Sequence, residues 1–491
     1  VEDEMNDRVN PVKRVLWLLL PLVSAFTANA AGSDFPNIVY ILCDDLGYGD
    51  VSCLNPDKGK IPTPHVDTLA SQGMIFTDCH SGSSVCTPTR YGLLTGRYAW
   101  RTHLQKGVIN TADANPLIAE DRLTVGALLK KHGYHTGIVG KWHLGMHFEG
   151  SENPSLEARP NSVGVPNGSF VTEGPITRGF DYFFGFEHAR SIRTLIENDT
   201  VIDDIDSVEM LPRLKQAALS YIDAHTDEAK QGKPFFLYLS LSSPHTPIVP
   251  SDAWKGKSAL GHPYADFVMQ TDAVVGEVLD ALDTKGLSDN TLVIFTSDNG
   301  CAEYIGAHDM EANGHFPSAQ FRGYKGDIWD GGHRIPFIVR WPGKIKPGTQ
   351  NDQLISLTDM IATCADMLGD ALPDNAGEDS VSILPALLGT ARTPLREAVV
   401  HHSSGGMFSI RKGNWKMAFG PGSGGFRNNP ADTPPLQLFD LHNDIEEKHN
   451  RHTEKPDVAE ELTKLLEKYV AEGRSTPGKP QKNDIKVHSF N

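Results

Sequence analysis

Four short apolar runs, each ending in ionisable residues, constrain this chain more than any other feature. Asn37-Ile38-Val39-Tyr40-Ile41-Leu42 runs into Asp44-Asp45, and His135-Thr136-Gly137-Ile138-Val139 into Lys141 and His143. Pro234-Phe235-Phe236-Leu237-Tyr238-Leu239-Ser240-Leu241 leads to His245, and Thr291-Leu292-Val293-Ile294-Phe295-Thr296 to Asp298-Asn299. Apolar runs of this length without polar alternation read as strands buried on both faces. Helical patterns lie between them, over 63–73, 122–132, 210–225 and 264–285. Such alternation predicts an α/β fold with a large, mainly parallel sheet flanked by helices. The carboxyl ends of its strands then share one edge, where ligand sites of open α/β sheets lie. One polar strand end is ordinary loop polarity; four at one edge predict a convergent site. Adjacent carboxylates such as Asp44 and Asp45 are costly there unless solvated or bound to a cation.

A second stretch supplies a candidate reactive group: Ser83-Ser84-Val85-Cys86-Thr87-Pro88-Thr89-Arg90-Tyr91-Gly92-Leu93-Leu94-Thr95-Gly96-Arg97. Pro88 suits the first turn of a helix, and Tyr91 and Leu94 continue at helical spacing. Cys86 then lies at the positive pole of that helix, where developing negative charge is favoured. Arg90, one turn on, adds a fixed charge. The same pattern also suits a small buried cysteine before an ordinary amphipathic helix.

The run Cys-x-Pro-Thr-Arg followed by Thr-Gly-Arg resembles the signature of the formylglycine-dependent (type I) sulfatases of the alkaline phosphatase superfamily. The resemblance extends over most of residues 35–400 and implies an alkaline phosphatase-like fold. It implies that Cys86 is oxidised after translation to formylglycine by a maturing enzyme, and that Asp44, Asp45, Asp298, Asn299 and modified Cys86 hold one Ca²⁺. Hard oxygen ligands suit such a cation. It further implies that one hydroxyl of the formylglycine hydrate attacks sulfur while Arg90 orients it. Lys141 and Lys325 (in Gly-Tyr-Lys-Gly-Asp) stabilise the sulfuryl oxygens, His245 protonates the leaving oxygen, and His143 helps to expel sulfate. The pattern resembles bacterial sulfatases acting on sulfated polysaccharides or glycosaminoglycans, N-acetylgalactosamine sulfates among them. The alternatives are a formylglycine-dependent phosphonate or phosphodiester hydrolase and an inert glycan-binding homologue. His188, Arg190, Arg193, His308, His315, Arg322 and His402 stand in loops, as candidate contacts to a sulfated saccharide or as solvated residues.

A net charge of −17 over 491 residues argues against nucleic-acid or anionic-membrane binding, so an anionic substrate must be drawn by a local cationic cluster. Residues 1–30 read as a signal peptide, with Lys13-Arg14, an apolar run over 15–22 too short to span a bilayer, and Ala28-Asn29-Ala30 as cleavage site. Export to a bacterial periplasm or beyond the cell follows, with no membrane insertion. Six cysteines are too few for a disulfide scaffold, and with Cys86 modified five remain, so at least one stays unpaired. The catalytic domain is expected over 31–395. From 396 the pattern changes to a small antiparallel sheet of short strands at 399–401, 407–410, 415–419 and 436–439, closed by a helix over 458–471. Residues 149–178 read as an insertion loop, the aromatic segment 179–186 as packing near the cleft, and the tail 473–491 as frayed.

Overall fold

A computed structural model describes residues 35–111, 113–149, 161–426 and 433–487. Ten strands form its main sheet: β1 (Asn37–Cys43), β2 (Met74–Phe76), β3 (His135–Lys141), β4 (Tyr182–Phe186), β5 (Thr194–Glu197), β6 (Thr200–Asp204), β7 (Phe235–Ser240), β8 (Thr291–Ser297), β9 (Phe337–Arg340) and β10 (Thr349–Asn351). Their spatial order is β10-β2-β9-β8-β1-β7-β3-β4-β5-β6. The central five, β8-β1-β7-β3-β4, are parallel. β9 runs antiparallel to β8 and β2, and β5 and β6 turn back as a hairpin. The sheet is mainly parallel, as expected, with β10 parallel to β2 at one edge and antiparallel pairings at β9 and at β5 and β6.

Burial explains why β1 is apolar from Ile38 to Cys43. Ile38, Tyr40 and Leu42 enter one core and Val39, Ile41 and Cys43 the other, all at 0–1 % exposure. On the first face pack α2 (Cys86–Thr95), α3 (Val125–Lys131) and α6 (Met360–Leu368); on the second, α1 (Pro64–Gln72), α4 (Ser207–Lys230) and α5 (Pro263–Thr284). α3 is shorter than expected because the Thr124 hydroxyl accepts the Ala127 N–H at 3.1 Å and caps the helix there. Gly140 permits the close approach of β3 and β7: its φ is +123°, and a Cβ on it would lie 1.7 Å from the Ser240 carbonyl oxygen.

The register delivers the polar residues together. Cys43 pairs with Ser297 and Leu42 with both Thr296 and Ser240, so Asp44 and Asp298 leave adjacent strands at one level. Gly140 pairs with Ser240 and Gly185, which brings Lys141 and His143 to that edge beside Glu187 and His188.

The small sheet has four antiparallel strands, β11 (Val399–His402), β12 (Phe408–Lys412), β13 (Trp415–Ala418) and β14 (Gln437–Asp440). Its apolar face meets Leu462, Leu466 and Tyr469 of α7 (Pro456–Ala471), together with Tyr98 and Trp100. Three expectations change. The tail is docked through residue 487: Arg97 pairs with Asp484 at 2.9 Å, Arg101 donates to Asn483 at 3.0 Å, and the Gln105 amide reaches the Lys486 carbonyl. The insertion loop carries a strand, Val171–Glu173, paired with His147–Phe148; residues 150–160 lie outside the described ones. The aromatic segment 179–186 supplies a strand of the main sheet, β4. The signal-peptide reading of 1–30 falls outside the described residues. All six cysteines are free thiols, and no described helix is long and apolar enough to cross a membrane.

Candidate active site

Cys86 opens α2 as its first helical residue and is 3 % exposed. The helix start is held from both sides. The His402 carbonyl accepts the Ser84 N–H at 3.0 Å and the Ser83 hydroxyl at 2.9 Å, and Thr89 reaches back to the Ser83 carbonyl. Burial pushes the Cys86 thiol above its ordinary value, only partly offset by Lys141 and Lys325. It is thus a neutral thiol rather than an activated thiolate.

Below it lies a buried ionic cluster. Arg90 donates to Asp298 through Nη2 at 2.8 Å and Nε at 3.1 Å, and its Nη1 bonds the Lys141 carbonyl and the Ser240 hydroxyl. Lys141 Nζ donates to Asp44 at 2.7 Å, and Lys325 Nζ and Asn299 Nδ2 each reach Asp45 at 2.7 Å. The Asp45 N–H bonds Asp298 Oδ1 at 3.2 Å, and His245 Nε2 lies 3.6 Å from Asp45. Asp45 adopts φ +66°, a left-handed turn that is strained for a non-glycine residue and that aims its carboxylate at those of its neighbours. The loop bearing Lys325 is tied to the start of α2 by the Gly326 N–H to the Ser84 carbonyl at 2.8 Å.

Burial, then the charge of Asp44, push Asp298 up to about 7 against the pull of Arg90. Asp44 would rise by burial too, but Lys141, His245 and Arg90 hold it well below the carboxylate range. Asp44 Oδ1 and Asn299 Oδ1 are buried without a hydrogen-bond donor. Ligand atoms of Asp44, Cys86 and Asp298 lie within 4.8 Å of one another, as do those of Asp44, Asp45 and His245. Orphaned hard oxygens converging on one point fit a hard divalent cation.

The cluster floors a cavity of about 600 Å³ lined by Cys86, Lys141, His143, His188, Arg190, His245 and Lys325. His143 gives its Nε2 proton to the Ile109 carbonyl at 2.8 Å, which leaves Nδ1 as a lone pair, and Nδ1 has no partner. Burial and Lys141 hold His143 well below its ordinary value, so it is a neutral base. At His245, Nδ1 carries the proton given to the Thr246 carbonyl, and Nε2 faces Asp45.

The sulfatase family model matches residues 36–370, more than half of the chain. The chain belongs to the sulfatase family. It is 35 % identical to the N-acetylgalactosamine-6-O-sulfatase of Bacteroides thetaiotaomicron, over 89 % of this chain and 94 % of that one. It is 33 % identical to bovine arylsulfatase A, over 92 % and 89 %. A solved structure from work on glycosaminoglycan metabolism by B. thetaiotaomicron superposes with a TM-score of 0.76 at 31 % identity, covering 89 % of this chain and 99 % of that one. This sulfatase is an enzyme that hydrolyses sulfate esters.

Of the seven loop residues expected at the saccharide, this sulfatase brings two, His188 and Arg190, to the cavity. The other five do not line it. Arg193 is paired with Asp204 and Asp206, and His308 with Glu303 and Glu311. His315 is buried between Asp50 and the Lys60 N–H. Arg322 lies 3.6 Å over the Trp329 ring and donates to the Glu447 carbonyl. His402 is buried edge-on to Phe408 and serves α2 through its carbonyl. Loop position alone does not tell a solvated charge from one already paired. Sequence reasoning also missed Tyr304, Phe426 and Glu187. The first two are isolated aromatics in irregular loops, which no periodicity marks. Glu187 is pushed up to about 8 by burial and holds the turn after Lys141 by accepting the Gly145 N–H.

Proposed function

We propose that this sulfatase removes sulfate from a sulfated saccharide, using Cys86 as formylglycine and one Ca²⁺ held by Asp44, Asp45, Asp298 and Asn299. The observation that carries this reading is the buried Cys86 thiol, its ligand atom within 4.8 Å of those of Asp44 and Asp298, beside Asp44 and Asn299 oxygens that lack a hydrogen-bond donor; its burial favours the protonated thiol. A thiol so held is a poor nucleophile, whereas an aldehyde hydrate at that position offers an oxygen nucleophile. A bound Ca²⁺ would supply positive charge at the sulfuryl oxygens. The names of the B. thetaiotaomicron relative and of the glycosaminoglycan-metabolism structure support a sugar substrate.

The chain's own residues supply the rest. Lys141 and Lys325 are fixed cations for the charge that grows on the sulfuryl oxygens. Arg90, held by Asp298, orients the nucleophile. His245 is the proton donor: its Nδ1 is committed to the Thr246 carbonyl, so the proton it gives sits on Nε2 of the charged ring, which burial and Lys325 disfavour and Asp45, 3.6 Å away, favours, leaving that proton loosely held. His143 accepts a proton at Nδ1 when sulfate is expelled. A saccharide substrate and the character of residues 1–30 together support export.

The test is turnover of N-acetylgalactosamine 6-sulfate, nitrophenyl sulfate and bis-nitrophenyl phosphate, with and without chelator. Sulfate release from the sugar, lost on chelation and restored by Ca²⁺, is expected. Faster cleavage of the phosphodiester than of any sulfate ester, or normal turnover by metal-free protein, would overturn the reading.

A further inference from the structure

Around the inner residues the cavity has an outer ring of a different kind. Tyr304 and Phe426 are the two most exposed large apolar side chains among the described residues, at 59 % and 65 %, and both line this cavity. Exposed aromatic faces gathered at one opening mark a surface that a ligand covers. Each is anchored beside an inner residue. The Phe426 ring packs on Gly326, next to Lys325: a Cβ at Gly326 would lie 2.6 Å from it. Tyr304, on the turn Glu303–Ile305, shares the lining with Thr246, next to His245.

The third member is Arg190. Its N–H donates to His188 Nδ1 at 2.9 Å, which fixes the turn Ala189–Ser191, and the His188 ring lies 5.3 Å from that of His143. The inner cations are committed: Lys141 and Lys325 each to a carboxylate at 2.7 Å, Arg90 to Asp298 at 2.8 Å. Arg190 lines the cavity, is exposed, and makes no ion pair with a described residue. In a chain of net charge −17, an uncommitted guanidinium at the mouth of an anion-cleaving cavity is a receptor for a second anion.

We infer that Arg190, Tyr304 and Phe426 form an outer subsite for a saccharide that bears a second negative charge, a carboxylate or another sulfate, besides the sulfate that is cleaved. The aromatic faces cover the apolar C–H faces of the sugar, and Arg190 pairs with the second anion. The inference rests on the saccharide reading above and adds what kind of saccharide is preferred.

The experiment compares three probes on the wild type and Arg190→Gln: N-acetylgalactosamine 6-sulfate, its 4,6-disulfate, and a hexuronate disaccharide of the 6-sulfate. The wild type favours one of the doubly charged sugars in kcat/KM; which one tells sulfate from carboxylate. Arg190→Gln is expected to reduce that preference about tenfold, the worth of one charge-assisted pair. Phe426→Ala is expected to raise KM for the sugars more than it lowers kcat. An unchanged ratio between singly and doubly charged sugars in Arg190→Gln overturns the inference while leaving the saccharide reading intact. Turnover of nitrophenyl sulfate with none of the three sugars overturns the saccharide reading itself, and this inference with it. Because Arg190 is exposed and makes no ion pair with a described residue, its replacement leaves the fold in place, which the melting temperature checks.

Discussion

Two buried ionic clusters, each with three carboxylates and three cations, behave differently. The first is the proposed active site, with Asp44, Asp45 and Asp298 against Arg90, Lys141 and Lys325. The second joins the main and small sheets, with Asp78, Asp330 and Glu447 against Arg334, Arg411 and Lys416. Both contain a triad with metal-ligand chemistry, His80, His333 and His401 in the second. There, however, His333 and His401 stack 3.9 Å apart at 14°, and His80 bonds His333 nitrogen to nitrogen at 2.9 Å. Arg411 and Lys416 lie 3.1 and 3.2 Å from ring nitrogens of the triad, where a metal would meet their charge. Both clusters keep buried polar atoms without a hydrogen-bond partner, Asp44 Oδ1 and Asn299 Oδ1 in the first and His401 Nε2 and Glu447 Oε1 in the second, but only the first borders the cavity lined by Cys86, Lys141, His245 and Lys325. Burying charges does not by itself make a site. Access does.

Substitutions sharpen this contrast. Asp45→Asn is expected to lower kcat/KM by about a thousandfold or more, since a charge acting on the transition state is worth several kcal/mol. Its melting temperature changes little, because Lys325 lines the cavity and gains water in exchange. Lys416→Met is expected to do the reverse, destabilising the fold by about 3–5 kcal/mol by removing the cation of Glu447 and leaving Asp330 to Arg334 alone. Denaturant titration and steady-state kinetics on both variants check the pair. Equal losses of stability would erase the distinction.

Within the active site, His245→Ala is expected to lose roughly 10²–10⁴-fold on a saccharide sulfate, the usual worth of a general acid. On nitrophenyl sulfate the loss is much smaller, because that leaving oxygen needs little protonation. Equal losses on both would make His245 a sulfate-binding residue rather than the acid.

The smallest expected effect is a pH slope from the second cluster. Burial holds His80, His333 and His401 below their ordinary value, so on acidification the unfolded chain takes up protons that the folded one refuses. Their contribution is full above the unfolded histidine value and fades as pH falls. Glu447, pushed up to about 7 by burial, works in the opposite direction over the same range. Asp78 and Asp330 are held low and act only in stronger acid. The triad is expected to make stability rise with pH between about 5 and 6.5, and His401→Gln to lower that slope by about one proton. A slope unchanged in His401→Gln would remove the triad from the account.

The same contrast explains what the sequence made legible. The four strand ends and the Cys86 helix were readable because a doubly buried parallel strand leaves an unbroken apolar run, and polar residues directly after it stand out. The hairpin β5–β6 lies at the sheet margin, with exposed Ile202 and half-exposed Asp203 and Asp204, and offers no such run. The tail misled because Asn483 and Asp484 dock through hydrogen bonds and an ion pair to Arg101 and Arg97, which a polar composition conceals. His315 and His402 were indistinguishable from solvated loop histidines, since their burial is imposed by distant segments.

The central claim is that Cys86 works as an oxygen centre and not as a thiol. Mass spectrometry of the peptide spanning Cys86, taken from protein whose turnover has been measured, tests it most directly. The account predicts that the thiol sulfur is replaced by an aldehyde oxygen, in proportion to specific activity across preparations. Fully active protein carrying an unmodified Cys86 thiol would contradict it.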